Sequence, residues 1–122
     1  MSKNYVQEGD VIQYTAGANI AAGAVVAIGQ ILGVALVDIA NGETGSVAIE
    51  GVFSVPKVSG AVIAQGESLT WDVSAGAFDD NAATAATGDI TGAPAVAFEA
   101  AGNGVTTLKV RFTGIPGTVK TA

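Results

Sequence analysis

The chain has neither cysteine nor histidine among its 122 residues. The first absence excludes disulfides and thiolate chemistry, and the two together exclude the usual zinc sites. Without histidine there is no Ser–His–Asp or Cys–His nucleophile system, nor the side chain best suited to proton transfer near neutrality. Aromatic residues are scarce at 6%, although hydrophobic residues make up 49%. A core of small side chains gains little per residue, since burial is worth roughly 25 cal/mol per Å². Such a chain would gain by burying further surface in an oligomer. Cations are few as well: 5 Lys and Arg stand against 11 Asp and Glu, a net charge of −6. Phosphate backbones repel that surface, so nucleic acid is not expected as a direct partner. The N-terminal MSKNYVQEGD has no apolar signal-peptide region. The most apolar stretch, residues 20–37, is interrupted by Gly23, Gly29, Gln30 and Gly33 and reads as strands rather than a spanning helix. The expectation is a soluble protein made in a reducing compartment, with no membrane partner and no cofactor.

What is present is a series of short apolar runs bounded by glycine. Residues 11–16 alternate with period two, residues 24–28 form a short buried run, and 31–39 and 45–55 flank Ala40-Asn41-Gly42-Glu43. Asn-Gly between apolar runs predicts a hairpin, with a type I′ turn that needs positive φ at both central positions. A second such hairpin joins 95–100 to 106–112 through Asn103-Gly104, and residues 68–73 and 75–78 add two short strands. Pro56 marks a strand end or edge, because it cannot donate to a ladder. Gly66 supplies the free φ of a tight turn ahead of the strand carrying Trp71. Helix is nearly absent: residues 59–64 offer at most one helical turn, and 80–87 (DNAATAAT) read as a polar loop.

The predicted fold is therefore all-β, a small barrel-like domain of short strands and Asn-Gly hairpins. Residues 1–7 form an N-terminal arm, 8–114 a single β domain and 115–122 a C-terminal tail. The hairpins echo each other at an offset near 62 residues, and Gln7–Tyr14 echoes Gln65–Trp71 at about 57. Two half-domains would follow, although glycine-turned β proteins in general produce such echoes.

The candidate sites are sparse. Asp79-Asp80-Asn81 lacks the alternating ligands, the central glycine and the distal glutamate of a calcium loop. Glu8 and Asp10 imitate a glycosidase carboxylate pair, yet at spacing two around Gly9 they fit a solvated turn better. Gly102–Gly104 lacks the following helix that would cradle a phosphate. Trp71 alternates with Leu69 on one strand face; it is a core anchor, or alternatively the platform of a carbohydrate-binding domain. A hydrolase using Asp72 or Asp79 would need a convergent polar pocket. Lys109 and Arg111 alternate with Leu108, Val110 and Phe112, which sets both cations on the outward face of the last long strand. There they would meet an acidic partner or simply solvent. The arm carries Lys3, Asn4, Tyr5 and Val6 and suits strand addition to a neighbouring subunit, with fraying as the plain alternative.

Several stretches occur together in a telling order: Asn4-Tyr5-Val6-Gln7-Glu8-Gly9-Asp10, Gly33-Val-Ala, Glu50-Gly51-Val52-Phe53 with Pro56-Lys57, Ala64-Gln65-Gly66 with Trp71-Asp72, and Thr107-Leu-Lys-Val-Arg-Phe112. In order and spacing they resemble the small capsid cement, or head decoration, proteins of tailed bacteriophages. The resemblance spans residues 4–112, while residues 78–92 match none of its motifs. It implies an all-β fold, of the β-clip type seen in trimeric decoration proteins, and no catalytic residues. It also implies a place on the outer capsid surface, at junctions between major capsid protein subunits, with trimers or dimers as the assembly. The candidate capsid or protomer contacts are then Lys3, Asn4, Tyr5, Val6, Lys57, Lys109 and Arg111.

Overall fold

The computed structural model describes residue 4 and residues 7–121. It contains strands and turns and, among the described residues, no helix; of residues 59–64, 59–60 form a turn and Ile63 bridges to Ala101. Strands β1 (Val11–Thr15), β2 (Val25–Ile28), β3 (Ile31–Ala35) and β4 (Thr44–Ala48) make a curled antiparallel sheet in the order β1-β4-β3-β2. The chain leaves that sheet at Ile49. A second sheet combines β5 (Glu50–Pro56), β9 (Ala95–Ala97) and β10 (Thr107–Thr113) in the order β5-β10-β9. The third contains β6 (Thr70–Asp72), β7 (Ala77–Asp79), β8 (Ile90–Thr91) and β11 (Thr118–Val119), ordered β11-β8-β6-β7. Residues 45–55, expected as one continuous run, are thus split between two sheets.

The first two sheets repeat one pattern. Ile20 and Ile39 exchange backbone bonds, Gly23 N–H donates to Ala35, and Ala35 N–H donates to Ala24. The same three contacts recur as Ile63 with Ala101, Gly66 to Ala97, and Ala97 to Glu67. Each is shifted by 43 residues on one strand and 62 on the other. The bond from Gly42 to Ala16 recurs from Gly104 to Ser59, and the Val25–Val34 pair recurs as Ser68–Val96. Strands β1 and β4 therefore correspond to β5 and β10, and β3 to β9. The hairpin echo at 62 residues is structural. The upstream echo between residues 7–14 and 65–71 is not: the counterpart of Ile20-Ala-Ala-Gly-Ala-Val25 is Ile63-Ala-Gln-Gly-Glu-Ser68. Glycine turns drew the sequence comparison to the wrong partner.

Both Asn-Gly turns differ from expectation in the same way. Glu43 N–H bonds to Ala40 O, and Val105 N–H to Gly102 O. Gly42 has φ +85° and Gly104 φ +93°, while among the described residues no non-glycine residue has positive φ. With the first central φ negative and the second positive, these are turns of the type II φ pattern. They close eight- and nine-residue connections rather than two-residue hairpins, so the strand twist does not demand the primed form. The genuine two-residue hairpin is Ile28-Gly29-Gln30-Ile31, which pairs Ile28 with Ile31 and places positive φ at Gly29.

In the second half the corresponding hairpin tip is opened. Where the first half runs from Val25 to Val34 through that turn, the second runs from Ser68 to Val96 through β6, β7 and β8. The third sheet is thus an insertion at a hairpin tip, completed by β11 from the chain end. Its apolar face fills the main core. Trp71 lies 4.9 Å from Phe78 between ring centroids, and Phe78 and Phe53 each lie 5.9 Å from Phe112. Such edge and tilted pairs contribute about 0.5–1.5 kcal/mol each beyond burial. Leu32 and Val34 of the first sheet join this core, whereas Ala35, Ile39, Val47 and Ile49 build a smaller one inside the first sheet's curl.

Candidate functional site

The residues singled out by chemistry end in different places. Trp71 is buried in the aromatic core, so it offers no sugar-stacking platform. The carboxylates proposed for hydrolysis close on their own turns: Asp72 accepts from Ser74 Oγ at 2.9 Å and Ala75 N–H at 3.1 Å, and Asp79 accepts from Asp80 N–H. Those bonds hold the Asp72 carboxyl below its ordinary pKa, with the Ala75 amide the larger cause and the Ser74 hydroxyl next. No group of three or more metal-ligating side chains gathers among the described residues. Sequence reasoning missed Asp89, which is buried and accepts from Val73 N–H at 3.1 Å and Ala86 N–H at 2.9 Å. It ties two loops of the inserted sheet together, and no periodicity signals an acid used that way.

Lys57 requires a correction. Expected as a partner contact, it is only 3% exposed. Its ammonium donates to the carbonyls of Val58 at 2.7 Å, Val105 at 3.0 Å and Ser59 at 3.3 Å. The reason lies in the duplication. Between β5 and Ser59 the second half carries two residues more than the first half carries between β1 and Ala16. The bulge gathers these carbonyls, and the Lys57 ammonium joins the Ala61 and Gly104 amides as a donor to Val58 and Ser59 and serves Val105. The cation is thus engaged inside the protomer. Of the arm residues, Asn4 is exposed, and Lys3, Tyr5 and Val6 lie outside the described residues.

Lys109 and Arg111 stand together as expected, on the outer face of the β5-β10-β9 sheet. Register sets Lys109 opposite Ser54, and Arg111 between Val52 and Val96. Phe98 N–H bonds to the Lys109 carbonyl, which brings the exposed Phe98 to the same face. Val52 is 43% and Phe98 48% exposed. Lys109 approaches Glu99 at 3.5 Å with both side chains about half exposed, a geometry worth little in water. Arg111 forms no ion pair among the described residues. Beside this pair a shallow cavity of about 260 Å³ is lined by Ser54, Glu99, Ala101, Val105, Thr107 and Lys109. The arrangement offers cations and apolar side chains on a sheet, with Glu99 as the one carboxylate lining the cavity among the described residues.

A family model described as phage cement protein matches residues 6–112. The chain belongs to the phage cement protein family. Comparison with curated proteins gave no individual match. The matched span takes in β1 to β9, including the inserted β6, β7 and β8, and ends at Phe112 on β10, short of β11. A cement protein has a capsid-associated structural role in the virion, and its family is not one of enzymes. That role agrees with carboxylates spent on turns and a lysine spent on a bulge.

Proposed function

We propose that this cement protein decorates the outer surface of a bacteriophage head as a homo-oligomer, most simply a trimer. There it bridges neighbouring major capsid protein subunits and stabilises the shell. It is made in the host cytoplasm and added to the head. The observation carrying this reading is the outer face of the β5-β10-β9 sheet, where Lys109 and Arg111 lie among exposed Val52 and Phe98 on a chain of net charge −6. Apolar groups and a desolvatable arginine are what a protein contact uses. An oligomer touching several subunits at once turns modest individual contacts into high avidity through effective concentration. The arm with Lys3, Asn4, Tyr5 and Val6 would add a strand to a capsid edge on docking.

The test is addition of purified protein to expanded heads lacking it. Saturable occupancy and a raised disruption temperature of the heads are expected. Absence of binding, or decoration without any gain in resistance, would refute the stabilising role. Deleting residues 1–6 should lower occupancy; unchanged occupancy would remove the arm from the contact.

A further inference from the structure

The two halves share a strand pattern but not the fate of their outer faces. In the first half, Val34 and Ala48 are buried, and Leu32 and Val34 belong to the main core that the second half supplies. Their counterparts in the second half are Val96 and Arg111, paired in the same way, and neither is buried. Farther along the first sheet, the outer side chains satisfy one another. Gln13 Nε2 donates to Ser46 Oγ at 3.0 Å, and the Thr15 and Thr44 hydroxyls bond at 2.8 Å. In the second half the matching pairs are Ser54 with Lys109 and Pro56 with Thr107, beside Val52 and Arg111. The face that is covered or neutral in one half is therefore open, apolar and cationic in the other.

A complementary surface exists on the first half. Leu36 and Val37 are 45% and 48% exposed, and Asp38 follows them. Beside them Asn19, Ile20, Ala21, Asp38, Ile39 and Ala40 line an open depression of about 500 Å³. Glu43 lies just beyond, also exposed. Apolar side chains beside carboxylates are what a face of valine, phenylalanine, lysine and arginine would bury well.

We propose that the β5-β10-β9 outer face of one copy docks on the Leu36–Ala40 surface of a second copy, with Arg111 and Lys109 facing Asp38 and Glu43 and Phe98 entering the depression. The inference deepens the homo-oligomer of the proposed function by naming its contact. Since the two surfaces lie on different halves, every copy offers both. The contact is head-to-tail and closes as a ring when the rotation per copy permits. The chemistry of a second copy is fixed by its sequence, and its acidic character gives this cationic face a matched surface.

Sedimentation of the purified chain without capsids tests this directly. Wild type should self-associate at micromolar concentration, more weakly at high salt. Arg111→Asp and Phe98→Ser should each weaken association by about tenfold or more, the range of a contact residue at the centre of an interface. Asp38→Lys should do the same, and Arg111→Asp with Asp38→Lys should recover most of the loss. Unchanged Trp71 emission shows that the variants are folded. A monomeric wild type, or association insensitive to Arg111 and Phe98, overturns the contact. If a monomer still decorates heads, this inference falls together with the homo-oligomer of the proposed function while its capsid role stands; if an oligomer fails to decorate them, that capsid role falls instead. Variants that stay oligomeric but no longer bind heads would assign the face to the capsid and overturn the contact.

Discussion

Lys57 shows how far a residue's type can mislead about its work. Beside Pro56 and within the matched motifs it reads as a partner contact, yet it turns inward to three carbonyls. Replacing it with alanine takes the donor from the Val105 carbonyl, while the Val58 and Ser59 carbonyls keep the Ala61 and Gly104 amides; a carbonyl left unsatisfied costs about 1–3 kcal/mol. Lys57→Ala should therefore lower unfolding free energy by about 1–3 kcal/mol in urea titration; a loss below about 0.5 kcal/mol would show that solvent replaces the lost donor. Asp72 makes a pH-dependent contribution of known sign. Its folded pKa lies below the ordinary 3.8, so its stabilisation is complete above that value and disappears as pH falls through the folded pKa. Thermal melts of Asp72→Asn should accordingly match wild type more closely in strong acid than at pH 7. A gap that widened on acidification would contradict the assignment. Gly33 carries a third residue-level constraint. A Cβ there would meet Val47 Cγ1 at 2.6 Å and the Ala48 carbonyl at 2.7 Å, so Gly33→Ala should cost about 1–3 kcal/mol by overpacking. The repeat-equivalent position holds Ala95, buried without such a clash, so the same side chain fits one half and not the other.

At the scale of elements, the alternating run of β1 and the alternation of Leu108, Val110 and Phe112 in β10 were legible because a half-buried strand imposes period two. The outward placement of Lys109 and Arg111 followed from the same rule. What stayed hidden were features set by partners distant in sequence. The break at Ile49 depends on which sheet each side can join, and no local pattern in 45–55 announces it. The Gly29-Gln30 hairpin escaped notice because glycine followed by glutamine is a quieter signal than Asn-Gly. The louder Asn-Gly pairs proved to be broader turns. Strand β11 was hidden in an apparent tail: its pairing with β8, the Lys120 bonds to Gly88 and Asp89, and the bond from Gly117 N–H to Gln30 O are all long-range. The candidate surface was half visible, since its cations could be named while Val52, Phe98 and the contrasting first half needed register to emerge.

For the molecule as a whole, two related sheets with unequal outer faces give a single chain two different surfaces to present. That asymmetry suits the proposed role, in which one surface would meet a second copy and others the shell. The inserted third sheet adds a further consequence. It occupies the corner where the first half makes its two-residue turn at Gly29, which is exposed. One half of this fold already accommodates an extra lobe at that vertex without losing the surrounding ladder. A flexible peptide of roughly ten residues placed between Gly29 and Gln30 should leave the strands intact, because lengthening an exposed loop costs only about (3/2)RT times the logarithm of its length. Circular dichroism and urea titration of the grafted chain would show this, with loss of the cooperative transition as the contrary outcome. The duplicated architecture thus marks a natural graft point, where a foreign epitope would travel on each copy attached to a particle.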